Sequence, residues 1–140
     1  MTDTQILRIH DFSAIAEVAR REKRLILLLV SQEDCPYCHL IKAEIIRPMI
    51  LGKDFENEIL IRELFIDEGE IILDFQGNKR EAADFAHDYG VFVTPTLLFL
   101  DADGKEQVKQ MTGINTVEMY WYYLSQSITK ALEQMQGKTG

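Results

Sequence analysis

The stretch SQEDCPYCHL, residues 31–40, follows directly on the apolar run LILLLV at residues 25–30. It contains both cysteines of the chain, Cys35 and Cys38, which are three positions apart. A short run that is apolar on both faces predicts a central strand, and Pro36 suits the first turn of a helix. The cysteine pair is therefore predicted to lie where a strand passes into a helix.

This position favours a redox role for the two cysteines. The first turn of a helix presents unpaired backbone N–H groups and the positive end of the helix dipole, and both stabilise a thiolate. The thiolate is the form of cysteine that attacks a disulfide. Cys35 is therefore predicted to be the exposed nucleophile. Cys38, one turn deeper, is predicted to be the sheltered resolving thiol, which can close a disulfide with Cys35.

Two other chemistries fit the same motif. Cys35, Cys38 and His39 form a literal Cys-x-x-Cys-His haem attachment sequence, but a c-type cytochrome is helical and this chain alternates strands and helices. A structural zinc site needs four ligands. The motif offers three, and the other histidines, His10 and His87, lie in unrelated segments. We expect neither a metal nor a bound cofactor.

Each polar neighbour of the motif has two possible interpretations. Glu33 and Asp34 precede Cys35 and are either a solvated loop or acids that oppose the helix dipole and disfavour the thiolate. His39 is either an exposed residue of the first helical turn or a group that tunes the Cys35 thiolate electrostatically.

Around the motif the chain alternates between helical and strand patterns. The helix at 36–51 is expected to turn Leu40, Ile41 and Ile45 inward and to kink at Pro48. The predicted elements are a helix at 11–24 with Asp11 as its N-cap, a strand at 25–30, a helix at 36–51, a strand at 59–66, a short extra hairpin or strand at 68–78, a helix at 80–89, a hairpin at 94–111 turning at Asp103–Gly104, and a helix at 116–135. This order predicts a single α/β domain over residues 1–140, with a mixed sheet and helices on both faces.

Charge and hydropathy limit the partners. The formal net charge of −8 disfavours nucleic acid, which is bound through clustered Lys and Arg. The run LILLLV is too short to cross a membrane, so no membrane insertion is expected. The first residues, MTDTQILRIHDF, lack the pattern of a signal peptide. This fits a cytoplasmic protein or a chain whose signal has been removed.

The motif and a second segment together resemble the thioredoxin superfamily. That resemblance rests on strand-Cys-Pro-Tyr-Cys-helix, followed by Val93-Thr94-Pro95-Thr96 opening a strand, then a hairpin and a helix, and it covers about residues 11–135. It implies the thioredoxin fold, a cis peptide bond at Pro95 facing the cysteine pair, and supporting roles for Pro36, Tyr37 and Thr94. It also implies that the Thr94 backbone pairs with an extended peptide as an added strand.

The layout is similar to the periplasmic thioredoxin-like proteins, including those associated with bacterial sulfur oxidation, whose extra hairpin would match residues 68–78. Two features depart from ordinary thioredoxins: LILLLV carries no acidic residue, and Cys-Pro-Tyr-Cys replaces Trp-Cys-Gly-Pro-Cys.

The resemblance implies a thiol–disulfide oxidoreductase that acts as a monomer on protein thiols and disulfides and has a redox partner protein. Its implied location is the periplasm, with the cytoplasm as the alternative. The rival interpretation is a non-catalytic binding or chaperone module that shares the fold, because fold alone does not fix function.

Overall fold

The computed structural model of the chain describes residues 6–114 and 116–137. The ends of the predicted domain, 1–5 and 138–140, lie outside the described residues. The helices are α1 (Phe12–Glu22), α2 (Pro36–Ile41), a π-helical turn (Lys42–Ile46), α3 (Arg47–Leu51), α4 (Ala82–Asp88) and α5 (Val117–Met135). The strands are β1 (Leu25–Ser31), β2 (Ile59–Phe65), β3 (Ile71–Leu73), β4 (Lys79–Glu81), β5 (Thr96–Leu100) and β6 (Met111–Thr112).

Four strands form one mixed sheet in the order β2-β1-β5-β6. Strand β1 is parallel to β2 and antiparallel to β5, and β5 is antiparallel to β6. All residues of β1 are buried, because the run LILLLV is apolar on both faces and has a neighbouring strand on each side. The predictions of a central strand and a mixed sheet are confirmed.

The two faces of β1 pack into two separate layers of core. Leu25, Leu27 and Leu29 pack against residues of the π-helical turn and α5, and the alternate residues pack against α1 and α4. Each leucine of β1 is fully buried. Burial of one such side chain contributes about 1.5–3 kcal/mol, so β1, like β5, stabilises both layers of the core.

Helix α1 begins where its sequence predicts and ends at Glu22, two residues before the predicted end. The Asp11 carboxylate accepts the Ala14 backbone N–H at 3.1 Å, and Lys23 ends the helix in the left-handed conformation with φ 57°. Hydrogen bonds from the Ser13 hydroxyl and the Ala14 N–H hold the pKa of Asp11 below its usual range. The N-cap prediction at Asp11 is confirmed.

The helix after the cysteines differs from its prediction in one respect. The irregularity lies in the π-helical turn Lys42–Ile46 that precedes α3, where the prediction placed a kink at Pro48. Proline has no N–H for the carbonyl four residues back and its ring crowds that carbonyl, and the wider π turn accommodates both effects. Ile41 and Ile45 are buried as predicted, whereas Leu40 is only half-buried.

The extra segment after β2 is a hairpin that extends beyond its predicted end. Strands β3 and β4 pair antiparallel as a separate two-stranded sheet, so the hairpin reaches Glu81 rather than residue 78. The Asp74 carboxylate closes the turn by accepting the Gln76 and Asn78 backbone N–H groups at 2.9 Å each. Gly77 takes φ 82°, which a glycine adopts without steric cost.

The hairpin after β5 is less regular than its prediction. The turn at Asp103–Gly104 is present, but the returning strand β6 pairs only at Met111 and Thr112, and before it Leu100 and Glu106 form an isolated bridge. Side-chain hydrogen bonds compete with a continuous ladder here. The Gln110 amide, for example, donates to the Tyr89 carbonyl at 2.9 Å, outside the sheet.

Candidate redox site

Cys35 and Cys38 lie at the carboxyl end of β1, where the chain enters α2. They are joined by a disulfide with a Cα–Cα separation of 5.2 Å. Cys35 is the N-cap of α2 with φ −135° and ψ 100°, and its Sγ accepts the Cys38 backbone N–H at 3.2 Å. Pro36 occupies the first turn, where its missing N–H leaves no helical bond unmade. The Cys35 sulfur therefore accepts a hydrogen bond from one of the backbone N–H groups at the helix N-terminus.

Cys35 is more buried than predicted, whereas the burial of Cys38 agrees with its predicted sheltered position. Cys35 is 7 % exposed and Cys38 is fully buried. Cys35 is covered because the Thr94 hydroxyl approaches its sulfur and the disulfide draws that sulfur toward the helix. Cys35 remains the more accessible of the two.

Thr94 and Pro95 lie against the disulfide, although they are remote from it in sequence. The Thr94 hydroxyl donates to Cys35 Sγ at 3.4 Å, and the Thr94–Pro95 peptide bond is cis. The Pro95 carbonyl accepts the Gly113 N–H at 2.8 Å, which ties the residue before β5 to the residue after β6. The fold thus brings together the two segments on which the sequence resemblance rests.

The loop between β1 and α2 is held by a residue that the sequence analysis did not identify. The Asp67 carboxylate, just beyond β2, accepts the Glu33 backbone N–H at 3.0 Å. Nε2 of His39 lies 3.0 Å from the Glu33 carbonyl oxygen and donates to it when the proton is on that nitrogen. His39 therefore braces the loop, and its electrostatic effect on Cys35 stays a prediction. The side chains of Glu33 and Asp34 are exposed.

Exposed apolar side chains flank the disulfide. Tyr37 in α2 is 60 % exposed, and Phe92 and Val93, just before Thr94, are 71 % and 50 % exposed. The Phe92 ring stacks on His87 with a centroid separation of 4.9 Å. Phe92 was not singled out from the sequence, and Val93 was named there only as the opening of a strand, because an apolar pair before a strand is typical of the strand itself.

A buried ion pair lies one helical turn below the disulfide. Lys42 Nζ is 2.9 Å from Glu63 Oε2, and both side chains are under a tenth exposed. Neither residue was singled out from the sequence. The available signal was Lys42 four positions after Cys38, on the same face of the helix as the buried Ile41 and Ile45.

The carboxylates of Glu68 and Glu70, in the segment after β2, are partly neutralised by Arg8. Its guanidinium lies 2.5 Å from the Glu68 carboxylate and 2.8 Å from that of Glu70. The hydrogen bond from Arg8 lowers the pKa of Glu68 below its usual range, and the same bond raises the pKa of Arg8. Glu68 is therefore an ionised, paired carboxylate at neutral pH.

No group of three or more His, Cys, Asp or Glu residues in 6–114 and 116–137 is arranged to hold a metal ion. Over the same residues, no helix has both the length and the apolar character needed to span a bilayer.

The family model described as a thioredoxin-like domain matches residues 12–128. The chain belongs to the thioredoxin-like domain family. With the Cys35–Cys38 disulfide at the start of α2, this membership makes it a thioredoxin-like thiol–disulfide oxidoreductase. No curated protein sequence matches the chain.

Solved thioredoxins share the architecture of this thioredoxin-like domain at low sequence identity. A poplar thioredoxin h mutant is 19 % identical with a TM-score of 0.60, over 95 % of this chain and 89 % of its own. A thioredoxin of Fasciola hepatica is 20 % identical with a TM-score of 0.59, over 90 % and 99 %. A protein titled DsbH oxidoreductase is 18 % identical with a TM-score of 0.62, over 92 % and 91 %. These likenesses establish the fold.

Proposed function

We propose that this thioredoxin-like domain reduces or exchanges disulfides in protein substrates, with Cys35 as the nucleophile and Cys38 as the resolving thiol. The observation that carries the proposal is the position of the Cys35 sulfur. It lies at the N-terminus of α2 and receives hydrogen bonds from the Cys38 N–H and the Thr94 hydroxyl. Both donors stabilise negative charge on that sulfur, which is the charge of the attacking thiolate.

The reaction consists of two exchange steps that balance. The Cys35 thiolate attacks one sulfur of the substrate disulfide, the substrate S–S bond breaks, and one substrate thiolate leaves. Cys38 then releases its proton to solvent and attacks the Cys35 sulfur, so the mixed disulfide breaks and the second substrate thiolate leaves. Two electrons thus pass to the substrate, and a dithiol partner protein then supplies two further electrons that reduce the Cys35–Cys38 disulfide, while the partner is oxidised to its own disulfide.

The substrate is expected to be a peptide segment laid across Thr94. The exposed side chains of Tyr37, Phe92 and Val93 surround this position and offer apolar contacts to such a segment. The Thr94 backbone would pair with an extended substrate as an added strand. These features support a protein substrate over a small thiol such as glutathione.

We also propose a cellular compartment for the protein. We place the protein in the periplasm, where disulfides form and persist in bacterial proteins. The support is the similarity of sequence layout to periplasmic thioredoxin-like proteins. Fractionation of cells that express the full-length gene, followed by detection of the protein, checks this location.

A turnover assay tests the proposed activity. The purified protein should accelerate reduction of the insulin disulfides by dithiothreitol, followed by the turbidity of the released B chain. Cys35→Ser should abolish the acceleration, and Cys38→Ser should nearly abolish it because the mixed disulfide accumulates. A wild-type protein that gives no acceleration would favour a non-catalytic binding module instead.

A further inference from the structure

The ion pair between Lys42 and Glu63 is the only one among the described residues in which both side chains are buried. The exposed fraction is 8 % for the Lys42 side chain and 5 % for that of Glu63, whereas every other described ion pair has at least one side chain more than 30 % exposed. A buried ion pair contributes little net stability, because removing both charges from water costs about as much as their attraction returns. Its physical effect is geometric, since each charge fixes where the other can lie.

Lys42 belongs to the helical segment that carries the redox pair. It is the first residue of the π-helical turn, and its backbone N–H donates to the carbonyls of Cys38 and His39. A π-helical turn is a local departure from α-helical hydrogen bonding and is frequently found at functional sites. The regular α-helical segment that carries Cys38 therefore ends at Ile41, and the irregular turn begins at Lys42.

Glu63, the other member of the ion pair, lies in a strand of the central sheet. It lies in β2 opposite Leu29 of β1. Its N–H donates to the Leu7 carbonyl at 2.8 Å, and its own carbonyl accepts the Ile9 N–H at 3.0 Å. Both backbone groups of Glu63 are thus bonded to the segment 7–9 on one edge of β2, while β1 pairs with the other edge, so Glu63 provides a fixed point for the ammonium group of Lys42.

The surroundings of the pair hold the ammonium in place. Lys42 Nζ lies 5.2 Å from the centre of the Phe65 ring, within the range of a cation–π contact. The guanidinium of Arg8 lies 4.2 Å from the centre of the same ring, and its charge also acts on Glu63. Lys42 and Arg8 therefore both lie over the Phe65 ring beside Glu63, and Arg8 is also paired with Glu68 and Glu70.

We propose that the Lys42–Glu63 ion pair is a positioning device for the resolving thiol: it ties the helix immediately after Cys38 to β2 and so holds Cys38 at attacking distance from Cys35. This inference rests on the proposed function, because it assigns Cys38 the second exchange step. Lys42 and Glu63 act through the helix and take no part in bond making.

Stopped-flow reaction with 5,5′-dithiobis(2-nitrobenzoate) separates the two exchange steps in one trace. The Cys35 thiolate of the reduced protein attacks the reagent and releases one thionitrobenzoate, at a rate proportional to reagent concentration. Cys38 then attacks the Cys35 sulfur and releases the second, at a rate independent of that concentration. Cys38→Ser should release only the first equivalent, which assigns the phases.

Lys42→Met should slow the second phase by at least about tenfold, because an error of about 1 Å in a reacting group can cost a hundredfold in rate. The first phase should change little. Lys130→Met, at an exposed helical lysine, is the matched control for Lys42→Met. Glu63→Gln removes the other charge of the pair, and its matched control is Glu44→Gln, at an exposed carboxylate in the π-helical turn. Both controls should leave both phases unchanged.

The double variant Lys42→Met with Glu63→Leu separates positioning from stability. Lys42→Met alone leaves Glu63 as an unpaired buried charge and should lower the urea midpoint of unfolding. The double variant leaves no unpaired buried charge, so its midpoint should return toward the wild-type value, while its second phase should stay slow. A second phase restored together with the urea midpoint would overturn the inference, as would an unchanged second phase in Lys42→Met. A wild-type protein that releases only one thionitrobenzoate would instead overturn the proposed function itself.

Discussion

The Cys35 sulfur differs from that of Cys38 in the donors that surround it. It accepts the Cys38 N–H at 3.2 Å and the Thr94 hydroxyl at 3.4 Å. The first donor belongs to the helix N-terminus, and the second comes from the loop before β5. A single substitution can remove the second donor without altering the cysteines.

Thr94→Val tests that donor, because valine keeps the shape of threonine and loses the hydroxyl. A net contribution of about 0.5–1.5 kcal/mol from one hydrogen bond predicts a roughly two- to tenfold slower alkylation of Cys35 in the reduced protein at neutral pH. Iodoacetamide labelling followed by peptide mass spectrometry measures the rate. Thr112→Val, at an exposed threonine of the same sheet, should have no effect. An unchanged rate in Thr94→Val would show that this hydroxyl does not stabilise the thiolate.

The sequence was sufficient to locate some of these residues and insufficient for others. Cys35 and Cys38 stand out because their chemistry and their place between a strand and a helix are local properties. Thr94 was placed by resemblance, and the fold brings it to the sulfur. Glu63 could not be paired with Lys42 from the sequence, since their contact depends on how the helix lies across β2.

At the scale of elements, the turn between β5 and β6 depends on close packing at Gly104. This residue has φ 80°, and a Cβ added there would lie 2.6 Å from a ring carbon of Phe75 and 3.0 Å from the Tyr89 hydroxyl. That hydroxyl donates to the Gly104 carbonyl at 2.5 Å, and burial raises the pKa of Tyr89 to about 12. The turn is thus packed against both α4 and the extra hairpin.

Gly104→Ala should therefore destabilise the protein more than Gly77→Ala. Both glycines have positive φ, which costs an alanine about 1–2 kcal/mol, but a Cβ at Gly77 would meet nothing within 4 Å. The contact with Phe75 adds a further ~1–3 kcal/mol at Gly104. Urea unfolding of the two variants measures the difference. Equal loss of stability would mean that the turn relaxes away from Phe75.

Elements with strong local patterns could be predicted, and those set by competing side chains could not. Helix α1 follows from its cap and its apolar stripe, and β1 follows from a continuous apolar run. The π-helical turn results from the place of Pro48 within a packed helix. The short β6 results from bonds such as that of Gln110 to Tyr89.

At the scale of the whole molecule, the reduction potential reports the balance of charges around the thiolate. Stabilising the Cys35 thiolate stabilises the reduced form and raises the potential. The helix N-terminus acts in that direction, and the exposed acids Glu33 and Asp34 oppose it. We expect a potential between those of glutaredoxins and thioredoxin, on the order of −200 to −270 mV.

Equilibration with a dithiothreitol or glutathione buffer measures the potential. Replacing Glu33 with Gln and Asp34 with Asn together should raise it by no more than about 20 mV, because exposed charges are well screened. The matched control is Glu118→Gln, at an exposed acid in the first turn of α5. A wild-type value near −120 mV, the potential of a strong oxidant, would contradict the expected balance.

The most direct test of the central claim is to capture the mixed disulfide on the predicted cysteine. Reduced Cys38→Ser protein is mixed with a peptide that contains one disulfide, and the adduct is located by mass spectrometry. We predict one peptide attached to Cys35, released by dithiothreitol, and no adduct in the double variant Cys35→Ser with Cys38→Ser. In Cys35→Ser alone, the buried Cys38 should form little adduct. A folded Cys38→Ser protein that forms no adduct, or equal adduct formation in Cys35→Ser, would contradict the assignment of Cys35 as the attacking thiol.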